Sequence, residues 1–202
     1  MVSRRIELAG IGHAHKPSPN QVLQPTHSRC ARMRRLNTRV RFLIVTDVDV
    51  QFLEDLRRED DLGLVIRGHL HIEHQLISLA SGVLPFASRI DWNEVPFKTK
   101  LEIASACGLP DDRRELIRRL NVLRNDFAHR LSASVQKKTV VDIYNSLSPL
   151  IQDAIKRAHE IMGFGKFPGP AALEPRDLLI HLFISARQAT KAAADATRQQ
   201  SN

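Results

Sequence analysis

The chain has 202 residues, of which 43% are apolar and only 5% aromatic, and it contains two cysteines. This apolar fraction is enough for a buried core, whereas two cysteines are too few for a disulfide framework or a cysteine-rich metal site. The net charge of +8 lies entirely in residues 1–41, which hold nine basic residues and one acid, so residues 42–202 balance to zero.

The N-terminal segment, residues 1–41, is rich in Pro, Ser, Asn and His and lacks apolar periodicity, so we predict a basic, disordered tail. Three interpretations of this tail stay open: an arm that attracts polyanions such as RNA, an Arg-rich targeting segment, or an extension upstream of a true start at Met33. We expect residues 42–202 to form a single cytoplasmic domain without a membrane span, because no apolar run approaches the required length of roughly 18 residues.

Helical spacing of apolar residues dominates the rest of the chain, and Pro and Gly separate the segments. In chain order, the predicted helices cover 51–56, about 62–84, about 96–107, about 110–131, the segments 139–147 and 149–162 as one or two helices, and about 175–197. Pro85 ends the second helix, Gly108 closes the third, and Gly163 begins a breaker loop before the last. No segment alternates like a strand for long, so the predicted fold is all-α, a bundle of five to six helices.

The most informative feature is the hexapeptide at 124–129, Arg-Asn-Asp-Phe-Ala-His, late in the fourth predicted helix. Asn125 and His129 are four residues apart and share the polar face. The apolar face is formed by Leu116, Leu120, Leu123, Phe127 and Leu131. An arginine fork suits the charge of a phosphate, and a histidine suits proton transfer near neutral pH. We therefore predict Arg124, Asn125 and His129 as catalytic residues acting on a phosphodiester.

The spacing within this motif raises a geometric problem. Arg124 and His129 are five positions apart, about 140° around an ideal helix, so a regular helix does not aim both at one phosphate. Either the helix distorts, or two motifs face each other in a homodimer and supply two histidines and two arginines.

An acidic residue is predicted to support the motif. Glu73 falls within the apolar arc of the second helix, which Val65, Ile72, Leu76, Leu79 and Val83 define and Leu62 widens. A lone carboxylate is costly there, so we expect it to pair with Arg124, directly or through water. In the competing interpretation, each long side chain reaches solvent by itself.

Three arginines precede the motif on the same helix. Arg113, Arg114 and Arg118 are the predicted RNA contacts, and neighbouring acids at 111, 112 and 115 also suit a solvated, charge-balanced face.

Metal and cofactor signals are weak. His69, His71 and His74 do not project to one helix face, and no Cys or acid completes a site, so we predict no metal. The sequence also lacks a phosphate-cradling glycine loop and a dinucleotide fingerprint, so no cofactor is expected.

The pattern Arg-x4-His, with a polar residue after the arginine, resembles the HEPN superfamily of helical-bundle proteins, many of which are metal-independent RNases. The full hexapeptide is more similar to the mannitol operon repressor branch of that superfamily, in which it recurs at a helix end. Arg67-Gly68, followed by Glu73 in a Leu-rich helix, and the stretch 97–109 are also similar to that branch. The resemblance covers about residues 50–145.

This resemblance implies a HEPN-like bundle that forms a homodimer, and it leaves two functions open. The first is a metal-independent endoribonuclease in which Glu73 and Asp126 support the catalytic residues. The second is a non-catalytic regulator or interaction module of the mannitol-repressor type, with RNA, a regulatory protein or an antitoxin as its partner. Under the second function, Arg124 braces a core acid and His129 merely caps its helix.

Overall fold

The computed structural model describes residues 50–130 and 133–201, and the regular elements among them are all helical. Seven α-helices are present in these ranges: α1 (Val50–Arg58), α2 (Asp61–Val83), α3 (Phe97–Ala106), α4 (Asp111–Ala128), α5 (Lys137–Asn145), α6 (Pro149–Ile161) and α7 (Pro175–Ser201), with a 3-10 turn at Ala87–Arg89. The all-α prediction is confirmed. The predicted number of five to six helices is too low, because the predicted segments 139–147 and 149–162 are two separate helices, α5 and α6, with a short break at residues 146–148.

Local sequence signals explain where the helices begin and end. The Asp60 side chain accepts a hydrogen bond from the backbone N–H of Gly63 at 2.7 Å and so caps the start of α2. Gly108 has a φ of 109°, a left-handed conformation that favours glycine and closes α3. Ser148 caps α6, whose first residue is Pro149, a position where a missing backbone N–H costs nothing.

The centre of the bundle is a parallel pair of helices, α2 and α7. Arg176 forms an ion pair with Asp61 where both helices begin, and Gly68 faces the Phe183 ring further along. Each contact joins residues 115 positions apart, so the two helices share one direction and register. A Cβ atom at Gly68 would lie 2.6 Å from Cδ1 of Phe183, so this glycine allows the close approach of the central helices.

Two further helices pack beside α2. Phe97 of α3 contacts His69 and, one turn later in both helices, Lys100 contacts Glu73, so α3 runs parallel to α2. Asn121 of α4 also contacts His69, and the chain just beyond α4 returns to the start of α2, so α4 is antiparallel. The helices α2, α3 and α4 therefore meet around His69.

The predicted apolar faces agree with the observed burial at most positions. Those buried as predicted are Val65, Ile72, Leu76, Leu79, Leu116, Leu120, Leu123 and Phe127. Val83 and Leu62 are wrong predictions, with 38% and 42% of their surface exposed, because each lies in an end turn of α2. Leu131 and the predicted disordered tail, residues 1–41, lie outside the described residues.

Within the ranges that the structure covers, no helix combines the length and the apolar character needed to cross a membrane.

Candidate functional site

The hexapeptide forms the last turn of α4. Phe127 is buried and anchors this turn in the core, whereas Asn125 and Asp126 are exposed and Arg124 is half-buried. His129 is the residue that ends the helix, and its side chain is exposed. The motif therefore presents an amide and an imidazole to solvent beside a partly sheltered guanidinium.

An exposed polar strip leads along α4 to this turn. Arg114, Arg118, Asn125 and His129 follow one another at intervals of four, seven and four residues, which align on one side of a helix. All four are exposed. The strip therefore places two exposed arginines along α4 ahead of the motif.

The arginine of the motif does not bind the predicted acid. The guanidinium of Arg124 donates to Oδ1 of Asn125 at 3.2 Å, and no carboxylate of the described residues lies within ion-pair distance of it. Glu73 instead binds Nζ of Lys100 at 2.5 Å. The predicted direct ion pair between Arg124 and Glu73 is therefore wrong, because α3 delivers a lysine to that carboxylate.

A buried histidine of α2, His69, contacts the helix that carries the motif. His69 is 4% exposed, and its Nε2–H donates to Oδ1 of Asn121 at 3.0 Å. Its ring also packs on Phe97, with centroids 4.1 Å apart. Burial lowers the pKa of His69, and the hydrogen bond to Asn121 opposes that change. The charge of Glu73 also raises this pKa, whereas the charge of Arg124 lowers it.

We call His69, Glu73, Lys100, Asn121 and Arg124 the three-helix cluster. Lys100 neutralises Glu73, and burial favours neutral His69, so Arg124 supplies the remaining charge. The cluster thus carries one more positive than negative charge, which suits an anion more than a cation.

Three of these five residues were not predicted as site residues: His69, Lys100 and Asn121. The missed signal lies in α3, where Phe97, Lys100, Leu101 and Ala104 recur at helical spacing, so a lysine occupies an apolar face. Because a buried lysine needs an acid, this position could have been matched with the inward-facing Glu73.

The predicted RNA-binding arginines lie in three different environments. Arg113 is only 2% exposed, its nearest acid is Asp112 at 3.9 Å, and burial lowers its pKa. It therefore does not offer its guanidinium to RNA at the surface. Arg118 is exposed but makes two hydrogen bonds of 2.8 Å to Glu115. Arg114 is exposed on the same helix.

A second histidine cluster ties α6 to α7. Nδ1 of His181 lies 2.6 Å from the backbone oxygen of Asp177, which only accepts, so this nitrogen carries the proton. Nε2 of His181 then accepts from Nδ1–H of His159 at 2.9 Å. Both rings are buried, and those of Phe164 and Phe167 pack against His159. Burial lowers the pKa of His181, and the nearby charge of Arg57 acts in the same direction.

Neither the three-helix cluster nor the His159–His181 pair resembles a metal centre. Among residues 50–130 and 133–201, no group of three or more His, Cys, Asp or Glu side chains is arranged to hold a metal ion.

Comparisons of this chain with protein-family models, with curated proteins and with solved structures find no match.

Proposed function

We propose that this protein is a metal-independent endoribonuclease of the HEPN type that acts as a homodimer, with Arg124, Asn125 and His129 as its catalytic residues. The observation that carries the proposal is the end of α4, where the last turn holds an exposed imidazole, an exposed amide and a guanidinium that no carboxylate of the described residues neutralises. Such a guanidinium keeps its charge for a phosphate.

In the proposed reaction, one His129 takes the proton of a ribose 2′-OH, and the 2′-oxygen attacks the adjacent phosphorus. The bond from phosphorus to the 5′-oxygen breaks, and a second His129, from the other subunit, protonates that oxygen. The products are a 2′,3′-cyclic phosphate and a 5′-hydroxyl. Arg124 binds the phosphate oxygens as their charge grows, and Asn125 orients the guanidinium through its side-chain oxygen.

The exposed strip on α4 supports RNA as the substrate class. Arg114 has the exposure that a phosphate contact needs, and Arg118 shares that side of the helix although Glu115 neutralises part of its charge. Asp126 is exposed beside the catalytic residues and is the supporting acid nearest to them in sequence. Arg113 is left out of the proposed RNA contacts because it is buried.

The direct test is cleavage of a short single-stranded RNA by purified protein in the presence of a chelator, compared with the His129→Ala variant. We expect cleavage by the wild-type protein, loss of it in the variant, and products ending in a 2′,3′-cyclic phosphate. Cleavage that needs a divalent metal, or that survives in the variant, contradicts the proposal.

The dimer has its own test, a titration of wild-type protein with His129→Ala under conditions of subunit exchange. If both histidines act at one site, an equal mixture keeps about one quarter of the activity of the same total amount of wild-type protein. If each chain acts alone, the mixture keeps about one half.

A second candidate function is a non-catalytic regulator that binds a protein partner. Leu70 on α2 and Val122 on α4 are 56% and 50% exposed, and both helices contribute to the three-helix cluster. An exposed apolar surface that contains such side chains would suit a protein partner. No cleavage of RNA by folded wild-type dimer would favour this regulator over the nuclease.

A further inference from the structure

Glu73 and Arg124, the arginine on which the proposed function depends, extend toward the same level of two neighbouring helices. His69 contacts Asn121, so the antiparallel helices α2 and α4 are level at that point. Side chains on a helix lean toward its N-terminus, so Glu73 on α2 and Arg124 on α4 both lean toward this level from opposite directions. Consistently, the charges of Glu73 and Arg124 both act on the His69 ring.

Left without another partner, this carboxylate would attract the guanidinium. The Glu73 side chain is only 23% exposed, a partly buried acid without a counter-ion is costly, and an arginine is a strong bidentate partner for it. An Arg124 held by Glu73 would be neutralised and turned away from a bound phosphate. The sequence favours that pair, yet the structure has a different one.

The lysine of α3 changes the outcome. Only 6% of the Lys100 side chain is exposed, and its Nζ lies 2.5 Å from Oε1 of Glu73. The packing of Phe97 on His69, one turn earlier, holds α3 in the register that delivers this lysine. Arg124 meanwhile is bound to the neutral side chain of Asn125.

We infer that Lys100 is a positioning residue: by occupying Glu73, it keeps the guanidinium of Arg124 free of a carboxylate partner and available to a phosphodiester. This inference rests on the proposed function, since it concerns the availability of the same arginine. Lys100 itself is too buried to contact RNA, so its effect passes through Glu73.

The experiment removes the lysine and then the acid that it neutralises. We expect Lys100→Met to lower kcat/KM for RNA by about 10²-fold, comparable to the loss of one donor to the transition state. Adding Glu73→Gln to Lys100→Met removes the competing charge, so we expect activity to recover to within a few-fold of wild type. Lys98→Met, at an exposed lysine of the same helix, is the matched control and is expected to leave kcat/KM unchanged.

The double variant tests whether the effect of Lys100 passes through Glu73. If activity does not recover when Glu73→Gln is added, Lys100 acts by another route, and the inference is overturned. The coupling between Glu73 and Arg124, measured in a double-mutant cycle, separates positioning from a merely structural role. The inference is also overturned if Lys100→Met cleaves RNA as well as wild type does. Should Lys100→Met fail to fold, the double variant still tests the inference, because it has no buried charge left to pair.

A measurement without RNA keeps this inference distinguishable from the proposed function. A double-mutant cycle of Glu73→Gln and Arg124→Gln, read by urea unfolding, is run with Lys100 and again with Met at that position. We expect coupling between the two residues only in the Lys100→Met background. Coupling in that background without any wild-type cleavage supports the electrostatic inference and overturns the nuclease. Cleavage by wild type without such coupling overturns the inference alone.

Discussion

Two buried histidines of this protein occupy regions of different character. His69, in the three-helix cluster, lies among a carboxylate, an ammonium and a guanidinium and is hydrogen-bonded to Asn121. His181 lies in the α6–α7 pair, bonded to His159 and a backbone carbonyl and close to aromatic rings. Burial lowers the pKa of both. The first region includes a half-buried guanidinium that no carboxylate of the described residues neutralises, whereas the second is enclosed and joins two helices.

The comparison indicates that the role of each histidine in this protein depends on its exposure and on the charged groups around it. His129 is exposed at the end of α4, in the same last turn as an arginine that no described carboxylate neutralises, so it is the histidine to which we assign proton transfer. The buried pair of His159 and His181 has its inner nitrogens occupied by each other, so it contributes to stability instead. Substitutions in the two regions should therefore affect different measurements.

The largest expected effect is on cleavage. His129→Ala removes the proposed acid and base, so we expect RNA cleavage in chelator to fall by about 10²- to 10⁴-fold. Because the side chain is exposed, the free energy of unfolding should change by less than about 0.5 kcal/mol. The control is His74→Ala, an exposed histidine on α2. An equal loss of cleavage in both variants would remove the special role of His129.

The next effect is on stability. His159→Phe leaves Nε2 of His181 buried without a donor, so we expect a loss of about 1–3 kcal/mol in the free energy of unfolding. RNA cleavage by the folded variant should stay at the wild-type level, because the pair lies on α6 and α7. Urea unfolding and the cleavage assay measure the two quantities. His74→Phe is the matched control, and similar stability of the two variants would contradict an energetic role for the buried pair.

The helices were predictable because each relies on local signals. Asp60 caps α2, Pro85 follows its end, and Gly108 closes α3, and all of these are visible in the sequence. The exposed face of α4 followed from spacing, which placed Asn125 and His129 together. The break between α5 and α6 also follows a local signal, since Ser148 caps α6 and Pro149 is its first residue.

The partners of charged side chains were not predictable from one helix at a time. Helical spacing turned Glu73 inward, but the register of α3 against α2 decides that Lys100 binds it. Arg113 was expected at the surface because it belongs to a charged stretch, and the packing of the bundle buries it. Such outcomes depend on how helices pack, which sequence periodicity does not specify.

The pH dependence of stability extends the comparison. The pKa of His181 in the folded protein lies below its ordinary value of 6.5, so the unfolded chain binds more protons just below that pH. The stabilisation is complete above about pH 6.5 and is lost as the pH falls through that value. We expect the free energy of unfolding to decrease between about pH 8 and 5.5, by up to about 1.4 kcal/mol per pH unit for each such histidine.

His181→Gln checks this assignment, because glutamine does not titrate. Urea unfolding across the same pH range should give a shallower slope for the variant than for wild type. His69→Gln should act in the same direction, since burial lowers that pKa as well. Parallel curves for wild type and His181→Gln would show that the buried pair does not cause the loss of stability in acid.

The smallest expected effect concerns the strip on α4 that leads to the motif. Arg114→Ala removes one exposed cation. The plot of log association constant for single-stranded RNA against log salt concentration should therefore become less steep, its negative slope decreasing in magnitude by about 0.7. Arg118→Ala should change the slope less, because Glu115 already neutralises that guanidinium through two hydrogen bonds. Arg157→Ala, at an exposed arginine of α6, is the matched control. If all three variants reduce the slope equally, RNA responds to net charge alone, and α4 does not guide it to His129.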